Sequence, residues 1–105
     1  MKIPVKGAII DSEDQWIYDW FEIEATSPKS VQRQLEKAKD NEVIEVEINS
    51  GGGSLYAGCE IYTMLKDCKN KVITKIVGLA ASAASLIAMG GNKVLISPTG
   101  QLMIH

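Results

Sequence analysis

Ser82 is the residue of this chain whose type and surroundings best suit nucleophilic chemistry. It lies in the segment Gly78–Ser85 (GLAASAAS), whose residues are all small except Leu79. A serine at the start of a helix, with neighbours no larger than alanine, can be approached closely by a substrate backbone. The helix N-terminus favours a developing negative charge, and the N–H of Ala83 can donate to the same place. A purely structural interpretation stands beside this one: the small residues let a helix pack tightly, and its serines are buried hydroxyls bonded to the backbone.

Three consecutive glycines, Gly51, Gly52 and Gly53, form a second candidate segment between a predicted strand and a predicted helix. Such a run costs backbone entropy on folding, and it is useful where the chain takes positive φ angles or comes close to a ligand. Peptide N–H groups exposed just before a helix can bind a phosphate or stabilise an oxyanion. The alternative is a flexible turn and helix cap. No Gly-Lys-Ser/Thr follows, so the segment is not a P-loop.

The sequence has one histidine, His105, its last residue. Neutral imidazole is the usual base that activates a serine, so the predicted strand that leads into His105 could bring a general base to Ser82. Taken alone, a histidine at a strand end is also compatible with an incidental surface position. A serine–lysine mechanism that uses Lys75 or Lys93 is a further option.

Strands and helices alternate along the chain and would position these residues. Strands are predicted over Lys6–Ile10, Val43–Ile48, Val72–Val77, Lys93–Ile96 and Gln101–Ile104, and helices over Ser27–Asn41, Ser54–Asp67 and Ala80–Met89. Gly78 is expected to break its strand, and the aromatic segment 16–23 fits neither period. This order predicts an α/β fold with right-handed crossovers around a mostly parallel sheet.

The strand over Val43–Ile48 has the clearest pattern, because apolar and acidic residues alternate within it. The side-chain period of two predicts that Glu45 and Glu47 are largely accessible. A set of apolar residues is expected to be buried: Ile44, Val46, Ile48, Val72, Ile76 and Leu86.

Composition excludes several classes of protein. The chain has 105 residues, one domain at most, and 46% hydrophobic residues, which excludes a disordered tail. Its 11 basic and 13 acidic residues are interleaved and give a net charge of −2, so nucleic acid is not an expected partner. The longest apolar stretch, 76–91, is too short and too rich in Ala and Ser for a bilayer span. The first residues lack the apolar run of a secretion signal.

Cys59 and Cys68 are the only cysteines. Nine positions on one helix separate them by about 13 Å at 1.5 Å per residue, too far for a disulfide. Two thiols are also too few ligands for a structural zinc site. We therefore expect a cytoplasmic protein with no metal and no cofactor.

The three candidate segments together resemble the ClpP-type serine peptidases, within the wider ClpP/crotonase fold. Ile48–Gly53 (INSGGG) is similar to the I-N-S-P-G-G loop of that family, Gly78–Ser82 to its G-x-A-A-S nucleophile segment, and Leu102–His105 to its V/M-M-I-H strand. The resemblance implies hydrolysis of peptide bonds by a Ser-His(-Asp) mechanism. By it, Ser82 is the nucleophile, His105 the base, and Gly52 or Gly53 with Ala83 the oxyanion hole.

The chain also departs from the family pattern. Gly51 stands where the family has proline. The catalytic aspartate of the family, and the handle that joins its rings, follow the histidine motif. Residues 1–105 are therefore expected to be one ClpP-like peptidase domain that is incomplete at its C-terminus, poorly active by itself, and inclined to form homo-oligomers.

A narrower resemblance concerns the segment Ala83–Met89, which is similar to ClpP-like peptidases of phages and prophages. It implies a capsid-maturation protease that acts, with or without an ATPase, on capsid or scaffold proteins in the host cytoplasm or the prohead. Three alternatives remain open. They are a housekeeping Clp protease proteolytic subunit, a crotonase-fold acyl-CoA enzyme, and a non-catalytic assembly module. The pairing of a serine with a histidine weighs against the crotonase-type enzyme.

Overall fold

A six-stranded sheet whose pairings are all parallel forms the centre of the computed structural model, which describes residues 1–104. Its strands are β1 (Lys2–Ile9), β2 (Ala25–Thr26), β3 (Ile44–Gly53), β4 (Val72–Ala81), β5 (Lys93–Ile96) and β6 (Gln101–Met103). The order across the sheet is β2-β1-β3-β4-β5. Because β4 is ten residues long, β5 pairs with its first half and β6 with its last three residues.

Four helices connect the strands: α1 (Gln15–Trp20), α2 (Pro28–Leu35), α3 (Leu55–Asp67) and α4 (Ala83–Ala88). The connections from β1 to β3, from β3 to β4 and from β4 to β5 all step in the same direction across the sheet. Right-handed connections therefore place their helices on one face of the sheet. Val31 of α2, Ile61 of α3 and Ile87 of α4 accordingly share one buried cluster with the apolar face of the strands. The predicted α/β fold around a parallel sheet is confirmed.

The alternation in β3 is confirmed as well. Ile44, Val46 and Ile48 are fully buried, as are the predicted residues of β4. Glu45 and Glu47 lie on the opposite face and are half-buried, less accessible than expected. Interior strands flank them on both sides, and Lys2 Nζ approaches Glu45 Oε2 at 3.8 Å.

Leu86 is the one member of the predicted buried set that is only half-buried. Leu55 differs in the same direction, because it has the spacing of the apolar face of α3 but is 58% exposed. Both residues line a groove described below, and this groove accounts for the two differences.

The first part of the chain differs from the prediction at its boundaries. β1 begins at Lys2 rather than at Lys6, because Ile3 and Val5 extend its buried face. The ambiguous segment 16–23 contains all of α1 except its first residue, and Trp16 and Trp20 of this helix are 68% and 78% exposed. The two-residue strand β2, which pairs with β1, was not predicted.

Helix α2 begins where the sequence places it and ends early. The Ser27 hydroxyl accepts the Ser30 N–H at 3.3 Å, and the Ser30 hydroxyl accepts the Ser27 N–H at 3.1 Å, so a capping box confirms the predicted start of the helix. The helix ends at Leu35, and turns fill the interval to Asn41, whose φ is 65°.

Gly78 does not break β4, contrary to the prediction. The pairing of β3 with β4 shifts register here, and the Asn49 side chain fills the irregularity by accepting the Leu79 N–H at 3.1 Å. A side chain at position 78 would collide with Asn49, so the glycine makes room for this bond. As a result the strand continues to Ala81, and the helix predicted from Ala80 begins only at Ala83.

Within residues 1–104, no helix is long and apolar enough to cross a membrane. The two cysteines are free thiols. The same part of the chain has no group of three or more His, Cys, Asp or Glu residues placed to hold a metal ion.

Candidate active site

The carboxyl ends of β3 and β4 meet at one edge of the sheet and bring two of the candidate segments into contact. β3 ends in the three glycines, and β4 ends at Ala81, directly before Ser82. A Cβ atom placed on Gly52 would lie 2.8 Å from the Ser82 Cβ and 2.7 Å from the Ala81 carbonyl oxygen. The glycine loop and the serine segment therefore form one site.

Ser82 is the N-cap of α4, which confirms that it lies at a helix N-terminus. Its backbone takes φ 53° and ψ −122°. This conformation costs a residue other than glycine on the order of 1–3 kcal/mol and is typical of functional sites. A strained serine between a strand and a helix is also the local geometry of the nucleophile elbow, although the flanking glycines of that motif are absent here.

Backbone bonds on both sides hold Ser82 in this conformation. Its N–H donates to the Met103 carbonyl at 3.1 Å, and its own carbonyl accepts the Ser85 N–H at 3.0 Å and the Ser85 hydroxyl at 2.5 Å. Ser85 is therefore the buried, backbone-bonded serine of the structural interpretation. The Ser82 hydroxyl differs, because no group within residues 1–104 forms a hydrogen bond with it.

A groove of about 200 Å³ opens beside Ser82. Its lining residues are mostly apolar: Leu55, Ser82, Ser85, Leu86, Met89 and Ile104. The groove lies next to the glycine loop, since Gly52 lies against Ser82. An extended peptide that lies over the serine would find a largely apolar surface.

The two glycines predicted as alternative oxyanion donors, Gly52 and Gly53, differ in their surroundings. Gly52 is buried, and its N–H donates to the Ser50 hydroxyl oxygen at 3.0 Å, while Ser50 donates to the Gly7 carbonyl at 2.6 Å. Gly53 is exposed. The Gly52 N–H is therefore already engaged within the loop, which favours Gly53 of the two alternatives, and the identity of the oxyanion donor stays a prediction.

The predicted bases have different outcomes. His105 lies outside the described residues, so its role stays a prediction; Met103, two positions before it in the sequence, pairs with Ala81. Lys75 and Lys93 lie in the first half of β4 and in β5. Lys75 precedes Ser82 by seven positions, about 23 Å along an extended strand at 3.3 Å per residue. The structure does not bring either lysine to the serine.

Close contact between α3 and α4 fixes the position of the Ser82 turn. A Cβ on Gly58 would lie 2.9 Å from the Ala83 Cβ and 3.1 Å from the Ala83 carbonyl oxygen. We therefore expect Gly58→Leu to destabilise the protein by about 1–3 kcal/mol, because the added side chain overpacks this contact. Thermal unfolding measures the effect. Cys59→Leu, at the exposed neighbouring position, should change stability by less than about 0.5 kcal/mol, and equal losses in both variants would contradict the close packing.

The polar residues that hold the loop were not identified from the sequence. Ser50 and Ser54 flank the three glycines, and Asn49 precedes them; all three bond to other segments. Their position directly beside a glycine run was the only signal available. Their partners lie 30 to 43 positions away in the chain, at a distance that no local pattern reveals.

The parallel sheet of this chain, with a strained serine and a glycine loop at its carboxyl edge, has the fold of a solved ClpP structure. The chain superimposes on a ClpP1 mutant from Listeria monocytogenes with a TM-score of 0.74 and 24% sequence identity. The superposition covers 99% of this chain and 55% of the ClpP1 chain. The family model described as Clp protease matches residues 14–105. The chain belongs to the Clp protease family.

Named relatives agree with this assignment. An ATP-dependent Clp protease proteolytic subunit of Deinococcus radiodurans is 32% identical over 98 residues, which are 89% of this chain and 48% of the relative. Proteolytic subunit 2 of Prochlorococcus marinus is 40% identical over 73 residues, 68% of this chain and 36% of the relative. The chain thus spans about half, or less, of the length of the relatives it matches.

Proposed function

We propose that this chain supplies the nucleophile and oxyanion site of a Clp-type serine endopeptidase. The observation that carries the proposal is the strained Ser82 at the N-terminus of α4, in contact with the glycine loop and open to an apolar groove. The name of the relatives, proteolytic subunits, supports the same reaction class.

In the proposed mechanism the Ser82 hydroxyl attacks the carbonyl carbon of a peptide bond. His105 accepts the hydroxyl proton and then delivers it to the leaving amine, and water hydrolyses the acyl-enzyme by the same steps. The N–H groups of Gly53 and Ala83 donate to the oxyanion. As the first residue of α4, Ala83 has no acceptor for its N–H within the helix, so this donor is available.

A fluorophosphonate probe tests the proposal directly, because it phosphonylates only an activated serine. In the full-length protein we expect one adduct per chain, and mass spectrometry of the digested protein should place it on Ser82. No adduct, or an adduct on another serine, would refute the assignment. Retention on a coenzyme A matrix would instead favour the crotonase-type alternative.

Capsid maturation is a narrower form of the same activity. The resemblance of Ala83–Met89 to phage peptidases supports it, whereas the named relatives are Clp protease subunits. We therefore propose the Clp-type activity as the function and keep capsid or scaffold proteins as one candidate class of substrate. Cleavage of a co-expressed phage scaffold protein, compared with casein, separates the two. The cytoplasmic location stays a prediction.

Association into homo-oligomers belongs to the same proposal, since the relatives are named as subunits. All four residues of β5 are exposed, including Ile96 at 52%. An apolar strand with an open edge favours pairing with another copy. Light scattering should show a mass that rises with concentration. Ile96→Lys should shift the equilibrium toward the monomer, and Val43→Lys, an exposed apolar position outside β5, should not. Equal effects of both would exclude β5 from the contact.

A further inference from the structure

The glycine loop is anchored to β1 on both sides of the proposed oxyanion donor. On one side, the Ser50 hydroxyl donates to the Gly7 carbonyl at 2.6 Å and accepts the Gly52 N–H at 3.0 Å. On the other side, the Ser54 N–H donates to the Ile9 carbonyl at 2.8 Å. Gly53 lies between these anchors.

Asp11 completes the second anchor. The Ser54 hydroxyl donates to Asp11 Oδ1 at 2.9 Å, and the same hydroxyl oxygen accepts the Ala57 N–H at 3.2 Å. A serine hydroxyl has one proton, so donation to Asp11 turns its lone pairs toward the first turn of α3. The bond to a carboxylate is also stronger than one between neutral groups. Asp11 thereby fixes the direction of the Ser54 side chain and the start of α3.

Gly53 depends on these anchors because it has no side chain to restrict its own dihedral angles. Its φ of 152° lies in a region that residues with a side chain rarely adopt. Without a Cβ, the direction of the Gly53 N–H is determined by the residues bonded on either side, Gly52 and Ser54. A loosened Ser54 would let the donor turn away from the oxyanion.

We propose that Asp11 is a positioning residue for the oxyanion site, acting through Ser54 on the N–H of Gly53. This inference rests on the proposed function, because it assigns a role within that reaction. Asp11 has no contact with the groove beside Ser82, whose lining residues do not include it. Its effect therefore falls on stabilisation of the transition state rather than on binding of the peptide.

Steady-state kinetics of the full-length protein should separate positioning from binding. Removing a whole oxyanion donor costs about 10²–10³ in kcat, so a misdirected donor in Asp11→Ala should cost about 10-fold, with KM changed less than twofold. Asp11→Asn should retain most activity, because the amide oxygen still accepts from Ser54. The double variant Asp11→Ala/Ser54→Ala should lose no more kcat than either single variant, since both substitutions break the same hydrogen bond between Ser54 and Asp11.

Ser12→Ala is the matched control. Ser12 is the next residue after Asp11, and its hydroxyl oxygen accepts the Lys29 N–H at 3.0 Å. Ser12→Ala therefore removes a hydrogen bond of similar length, but one that leads to α2 rather than to the glycine loop. Both alanine variants should lower the melting temperature slightly, and only Asp11→Ala should lower kcat.

A peptide boronate, which forms a tetrahedral adduct with the active serine, gives the second readout. Asp11→Ala should weaken boronate binding about 10-fold, in line with kcat. It should leave the affinity for an uncleaved peptide unchanged in a Ser82→Ala background. Wild-type kcat and boronate affinity in Asp11→Ala would overturn the positioning role, and so would an Asp11→Asn variant as impaired as Asp11→Ala. If the wild-type protein neither binds boronate nor cleaves peptide, the proposed function itself fails.

Discussion

Replacement of Ser82 by alanine is expected to lower the rate of peptide hydrolysis by about 10⁶-fold, as loss of the nucleophile does in serine peptidases. The expectation follows from its placement at the carboxyl end of β4, in the groove and against the glycine loop. Ser85→Ala is the matched control, because the Ser85 hydroxyl bonds to the Ser82 carbonyl and stabilises the turn. It should lower activity far less. A chromogenic peptide assay on the full-length protein measures both.

Ser82→Gly extends this test to the strain in the backbone. Glycine adopts φ 53° and ψ −122° without the penalty that a side chain brings, so the glycine variant should be about 1 kcal/mol more stable than Ser82→Ala and equally inactive. Chemical denaturation measures the difference. If Ser82→Gly is no more stable than Ser82→Ala, the backbone at this position is not strained. Activity that survives in Ser82→Ala would show that Ser82 is not the nucleophile.

The parts of the fold that could be predicted are those determined by local pattern. The alternation over Val43–Ile48 determines which face of β3 is buried, and Ser27 and Ser54 mark the starts of α2 and α3. The start of α4 was placed too early, because Ala80 and Ala81 favour a helix by composition. In the structure they remain in the sheet, since β6 pairs with the end of β4. That pairing joins residues more than twenty positions apart, which a local pattern does not reveal.

The candidate site divides in the same way. The small residues around Ser82 and the glycine run indicated two segments of one site, and the contact of Gly52 with Ser82 confirms that they meet. Which glycine can offer its N–H depended on Ser50, whose hydroxyl engages Gly52 only once β1 and β3 are paired. The proposed role of Asp11 depends on the same pairing, because its hydrogen bond with Ser54 joins residues that are 43 positions apart in the chain.

Two neighbouring glycines test the geometry of the loop with one substitution. At Gly52 a methyl group would meet the Ala81 carbonyl and the Ser82 Cβ, and the φ of 102° disfavours any side chain. At Gly51 a methyl group would meet nothing within 4 Å, and the backbone has no positive φ. Gly52→Ala should therefore displace Ser82 from the loop, whereas Gly51→Ala leaves both in place. Because a shift of about 1 Å at reacting groups can cost 10²-fold, we expect kcat/KM to fall by about 10²-fold in Gly52→Ala and less than twofold in Gly51→Ala.

The rate of labelling by a fluorophosphonate measures this contrast independently of peptide binding, since the probe needs only an activated serine and an oxyanion site. Gly52→Ala should slow labelling by the same factor as kcat/KM, and far-ultraviolet circular dichroism should show that the sheet remains folded. Gly51→Ala should label at the wild-type rate. Labelling of both variants at the wild-type rate would mean that the loop does not control the position of Ser82. A loss in Gly51→Ala as large as in Gly52→Ala would mean that the loop needs flexibility at its first glycine rather than close contact at its second.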